Sequence, residues 1–205
     1  MSALTVDVGG EVTLEARVSL PSGATAGVVL CHPHPLYGGD MDSHVVLRAA
    51  DACVARRVAT LRFNFRGVGA STGKHDDGRG EQDDVRAALG ALRRRLPDGA
   101  AVALAGYSFG AAVAAAVARR TPIAGLALIA PPVRMVPISP PAVSGPVLIV
   151  VGAEDQYCSA ADLEPIRHAM PGVTITVIDG ADHFFFGALD ALGGAVEGWA
   201  AALAT

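Results

Sequence analysis

Apolar and polar positions along this chain alternate in blocks that read as strands followed by helices. Thr25–Cys31, Ala59–Phe65, Ala101–Ala105, Ile123–Ala130, Pro146–Val151 and Val173–Asp179 are short, nearly unbroken apolar runs, the pattern of strands buried on both faces. Between them, longer segments predict helices near Ser43–Arg57, Gly80–Leu96, Ala111–Ala118 and Ala160–Ala169, with a last helix running to about Ala204. Two early segments, Leu4–Val8 and Thr13–Leu20, read as antiparallel edge strands. Repeated β-α alternation implies an α/β fold with a mostly parallel sheet and helices on both faces. There are no internal repeats and no linker, so residues 1–205 are expected to form one domain.

Composition narrows the partners. Hydrophobic residues make up 51% of the chain and the formal net charge is −4, which leaves no basic footprint for nucleic acid. Three cysteines, Cys31, Cys53 and Cys158, are too few and too uneven for a disulfide framework. The first residues lack the basic and apolar regions of a secretory signal, and no long charge-free apolar span is present. The expectation is a cytoplasmic protein with neither a nucleic-acid nor a membrane partner.

The chemistry concentrates at Gly106-Tyr107-Ser108-Phe109-Gly110, set between an apolar run and an alanine-rich helix. Strand, Gly-x-Ser-x-Gly, helix is the context of a nucleophile elbow, where a sharp turn projects the serine hydroxyl and glycine tolerates the crowding on either side. A serine needs a base, and the base needs an orienting acid. Asp155 follows the strand ending at Gly152, and His183 follows the strand ending at Asp179. The order Ser108, Asp155, His183 is that of an α/β-hydrolase triad, each member just past a strand's C-terminal end. Glu154, Asp179 and Asp182 are the competing acids, Asp182 reading as a cap for the last helix.

On these motifs the chain resembles α/β-hydrolase-fold serine hydrolases, in particular the small, capless, esterase-like kind related to dienelactone hydrolases and carboxylesterases. The resemblance spans nearly the whole chain. It rests on His32-Pro33-His34-Pro35, Arg66-Gly67-Val68-Gly69-Ala70-Ser71-Thr72-Gly73, Gly106–Gly110, Gly152-Ala153-Glu154-Asp155 and Gly180-Ala181-Asp182-His183, all in the expected order. It implies that His32 shapes its loop through backbone hydrogen bonds and that Arg66 ties neighbouring loops together. Six of the 13 prolines fall in Pro131–Pro146, where the family usually inserts a cap. A short loop there implies an open site suited to short or soluble esters.

An oxyanion hole needs two N–H donors. One is expected from Phe109, immediately after the nucleophile. By position the other is the N–H of His34, the only donor between Pro33 and Pro35, where the family usually shows His-Gly. The expected activity is hydrolysis of small or short-chain carboxylic esters through an acyl-enzyme, with no cofactor and no metal. Thioesters, lactones and amides are alternative substrates for the same triad. Two readings from other classes stand beside it: a metal-dependent hydrolase built on His32, His34 and Asp40, and a non-catalytic binding protein on the same fold. The glycines after Phe65 do not match Gly-x-Gly-x-x-Gly, which argues against a dinucleotide. Cys158 reads as a buried thiol. Tyr107 and Phe109 read either as packing or as pocket lining, and Phe184-Phe185-Phe186 as anchors of the last helix, with room for one ring to face substrate.

Overall fold

Alternate residues of a strand face opposite sides of its sheet, and both sides here are apolar. Val29, Leu104, Leu128 and Ile149 look one way, into a core completed by Val85, Leu89, Ala114 and Val117. Val28, Leu30, Ala105, Ile129 and Val150 look the other way, onto Val46, Ala49, Val196 and Trp199. The structure, a computed structural model, describes residues 1–138, 143–170 and 172–205. Its strands are β1 (Ser2–Gly9), β2 (Val12–Ser19), β3 (Ala26–Cys31), β4 (Ala59–Phe63), β5 (Ala101–Tyr107), β6 (Leu126–Ile129), β7 (Val147–Gly152) and β8 (Val173–Ile178). They form one eight-stranded sheet in the order β1-β2-β4-β3-β5-β6-β7-β8. The helices are α1 (His44–Ala55), α2 (Gly80–Arg93), α3 (Phe109–Ala118), α4 (Glu164–Ala169) and α5 (Leu189–Leu203).

The pairings β1–β2 and β2–β4 are antiparallel, and the remaining five are parallel. The expected fold class is therefore the observed one: an α/β-hydrolase fold with helices on both faces and, among the described residues, no cap. Only β1 of the two early strands is an edge, because β2 also pairs with β4. Ala59–Phe65 shortens to β4: the Asn64 N–H still reaches the Glu15 carbonyl on β2, but the Phe65 N–H leaves the sheet for the His32 ring. The segment expected as one helix over Ala160–Ala169 divides into a 3₁₀ turn at Ala161–Leu163 and then α4, whose first turn holds Pro165. That is where a residue without an N–H is tolerated. Of the Pro131–Pro146 loop, residues 139–142 lie outside the described residues; the described part carries no helix. Among the described residues no helix is long and apolar enough to cross a membrane.

The strand order positions the site. From β3 the chain passes through α1 to β4 on one side, and from β5 through α3 to β6 on the other. The loops leaving β3 and β5 diverge there, and open α/β sheets bind ligands at such a switch point.

Candidate active site

Ser108 has φ 53° and ψ −117°, a left-handed conformation that is costly for any residue with a Cβ. Three backbone bonds hold it there. Its N–H donates to the Ile129 carbonyl at 2.9 Å, and its own carbonyl accepts from Ala111 at 2.9 Å and Ala112 at 3.2 Å. The flanking glycines are required by space. A Cβ on Gly106 would run into the Gly110 carbonyl, and one on Gly110 into the carbonyls of Cys31 and His32. The turn therefore lies against the end of β3, with Ser108 capping the N-terminus of α3.

Two further loops reach the same place. Ala153 donates to the Ile178 carbonyl and Glu154 to the Ala181 carbonyl, both at 2.9 Å, so the segments after β7 and β8 are joined through their backbones. This brings Asp155 Oδ2 within 2.9 Å of His183 Nδ1. His183 Nε2 in turn lies 3.0 Å from Ser108 Oγ. Asp155 and His183 are buried. The remaining carboxylate oxygen accepts the Tyr157 N–H at 2.8 Å, and the Tyr107 hydroxyl donates to the His183 carbonyl at 3.1 Å. Tyr107 is itself buried, so it holds His183 from behind and does not line the surface. Of the competing acids, Glu154 and Asp179 are exposed. Asp182 accepts the Phe184 N–H at 2.9 Å and caps no helix: α5 begins later, at Leu189, with Ala188 before it.

On the other side of Ser108, the ring of His34 packs 4.8 Å from that of Phe109. His34 Nδ1 accepts the Leu36 N–H at 3.2 Å, and burial together with the neighbouring His75 lowers its pKa. Among the described residues, the backbone N–H groups of Phe109 and His34 have no protein acceptor. His32, fully buried, meets the Pro33 carbonyl through Nδ1 at 2.6 Å and accepts the Phe65 N–H on Nε2 at 3.0 Å. Both ring nitrogens are thus committed to backbone, leaving no lone pair for a metal. Among the described residues, no three His, Cys, Asp or Glu side chains are placed to share an ion.

Arg66 binds Asp84 on α2 through Nε at 3.1 Å and Nη2 at 2.7 Å, so it fastens its loop to a helix. Cys158 is a buried thiol whose pKa burial pushes up to about 12. The three phenylalanines divide: Phe185 is core, whereas Phe184 and Phe186 stand 43% and 68% exposed.

The sequence places His44 only near the His32-Pro33-His34 and Asp40 cluster, and it gives no notice of the contacts that His44 and His75 make. His44 Nε2 donates to the Phe184 carbonyl at 2.7 Å, holding the His183 loop from α1. His75 lies with Nδ1 2.8 Å from the buried Glu81 carboxylate and its ring 5.0 Å from His34. Both contacts are tertiary and carry no periodic signal.

Residues 28–144 match the alpha/beta hydrolase fold family. An uncharacterised protein of Rickettsia prowazekii is 35% identical over 191 residues, covering 86% of this chain and 79% of that one. An alpha-beta serine hydrolase homologue from Coxiella burnetii superposes with a TM-score of 0.86 at 34% identity, covering 96% of this chain and 95% of that one. A serine hydrolase without lid from Xanthomonas campestris gives 0.84 at 33% identity, with 96% and 92% covered.

Proposed function

Since the chain belongs to the alpha/beta hydrolase fold family, we propose that it hydrolyses small carboxylic esters by acyl transfer through Ser108, His183 and Asp155. The observation that carries this reading is the continuous contact from Ser108 Oγ to His183 Nε2 at 3.0 Å and from His183 Nδ1 to Asp155 Oδ2 at 2.9 Å. Ser108 gives its proton to His183 Nε2 as its oxygen bonds to the ester carbonyl carbon. The oxyanion so formed accepts from the Phe109 and His34 N–H groups, the former at the positive end of α3. Collapse breaks the bond to the alcohol oxygen, which leaves with the proton from His183. Water then repeats the sequence: His183 takes its proton, the hydroxyl oxygen bonds to the acyl carbon, and the acid departs as Ser108 recovers its hydrogen. Asp155 holds the imidazole in the tautomer that presents an acceptor to Ser108 and stabilises the imidazolium between steps.

Each step is a proton transfer or an addition at carbon, so the reading calls on no cofactor. The lidless architecture supports short or soluble esters, since an open site encloses little of a long chain. The test is hydrolysis of p-nitrophenyl esters of increasing chain length by the protein and its Ser108→Ala variant, with EDTA present. Activity that favours short chains and vanishes with Ser108 is expected. Activity that survives in Ser108→Ala would overturn the reading.

A further inference from the structure

The loop between β8 and α5 leads two large apolar rings from the catalytic base out into water. Phe184 stands edge-on to the His183 ring, centroids 5.5 Å apart and planes at 89°. Phe186 stacks on Phe184 at 5.9 Å and 25°, and His44 closes the series against Phe186 at 5.0 Å and 16°. Phe184 is 43% and Phe186 68% exposed, though Phe185 between them is fully buried. Their arrangement is held from outside: His44 Nε2 donates to the Phe184 carbonyl at 2.7 Å, and Asp182 accepts the Phe184 N–H at 2.9 Å. Rings fixed in this way while exposed form a ready-made surface, and leaving them in water is unfavourable until something covers them.

We propose that Phe184 and Phe186 form a platform for the alcohol part of the substrate, and that the enzyme favours esters whose alcohol carries a planar aromatic ring. The inference rests on the acyl-transfer reading. There, His183 Nε2 hands its proton to the departing alcohol oxygen, which must lie within hydrogen-bond reach of that nitrogen. Whatever hangs on that oxygen therefore begins beside His183, whose ring meets two rings that are not buried, Tyr157 at 4.7 Å and Phe184 at 5.5 Å, and of these Phe184 leads on to a second exposed ring. The oxyanion donors, Phe109 and His34, come from the loops after β5 and β3, so the platform serves the alcohol side of the scissile bond. A flat ring gains offset-stacked or edge-to-face contact with two rings already parallel to each other. A saturated chain gains only area. Because the protein side is preorganised, little ordering cost offsets the contact.

The test compares benzyl butyrate with ethyl butyrate, whose acyl groups are identical and whose alcohols leave with comparable ease. The benzyl ester is expected to have the higher kcat/KM. In a Phe184→Leu/Phe186→Leu double variant, the benzyl-to-ethyl ratio is expected to fall about tenfold, the scale of the stacking lost. Phe186→Tyr, which keeps the ring, retains the ratio. A ratio unchanged in the double leucine variant overturns the platform while the acyl-transfer reading stands. Hydrolysis of both esters surviving in Ser108→Ala overturns the acyl-transfer reading and the platform with it.

Discussion

Asp155 Oδ2 faces His183 Nδ1 at 2.9 Å, in a pair whose side chains are almost closed to solvent. The backbone sets the pair before the side chains meet. Gly152 lets the two loops touch, because a Cβ there would strike the Ala181 carbonyl, and Glu154 then bonds that same carbonyl. With the other Asp155 oxygen occupied by the Tyr157 N–H, the carboxylate has one direction left, toward Nδ1. An Nδ1–H donated to Asp155 leaves the lone pair on Nε2, facing Ser108.

Asp155→Asn is therefore expected to keep the shape and lose the chemistry. The amide oxygen still accepts from Tyr157, which turns the NH₂ toward His183. Nδ1 must then accept, the proton moves to Nε2, and the ring presents a donor to Ser108 where an acceptor is needed. We expect kcat on a short p-nitrophenyl ester to fall about 10⁴-fold while KM changes little. Steady-state kinetics on the variant would check this, and a loss smaller than tenfold would remove Asp155 from the role.

The assignment of His34 is to its backbone, and the two atoms can be separated. Its φ of −59° is already that of a proline, so His34→Pro removes the N–H without asking the chain to bend. That variant is expected to lose about 10²- to 10³-fold in kcat, the effect of one missing oxyanion donor. His34→Ala keeps the N–H and loses the ring contacts with Tyr37, His75 and Phe109 and the bond from Leu36, so its kcat should stay within about tenfold. Equal losses in the two variants would assign the effect to the imidazole.

Arg66 matters to stability through the partner it leaves behind. Asp84 is fully buried and takes both the Arg66 guanidinium and, at 3.0 Å, the Arg66 backbone N–H. Arg66→Ala strands a carboxylate with no countercharge, and urea unfolding should show a loss of about 3–5 kcal/mol. Arg66→Lys is expected to recover only part of it, because an ammonium does not reproduce the guanidinium fork. Activity measured at low temperature, where the fold is intact, should change far less than stability.

Much of this site was legible because each of its members follows an apolar strand. Ser108, Asp155 and His183 stand after β5, β7 and β8, and the glycines at 106, 110 and 152 mark where backbones meet. The environment of the loops was harder to read. In Phe184-Phe185-Phe186, three identical side chains share one hydropathy, and only the turn itself, with Phe185 at φ 56°, decides that the middle ring goes inward. Asp182 looked like a cap because α5 was expected to begin near it, but the residues between it and Leu189 form turns. His75 and His44 act across the fold on His34 and Phe184, and contacts of that range leave no pattern in the chain.

His32 makes folding sensitive to acid in a definite direction. Its neutral ring donates from Nδ1 to the Pro33 carbonyl and accepts the Phe65 N–H on Nε2, and the cation would lose the second bond. Burial lowers its pKa from 6.5 to about 4. As pH falls from 6.5 to 4, the unfolded chain takes up a proton that the folded chain refuses, so stability declines across that window. The contribution is complete above 6.5 and lost by about 4, amounting to about 3 kcal/mol. His32→Gln, which lacks a titrating group, should unfold more readily at pH 7 but lose less between pH 7 and pH 4.5. Urea titrations of both proteins at those two values would measure the difference in slope, and parallel declines would assign the acid sensitivity to other groups.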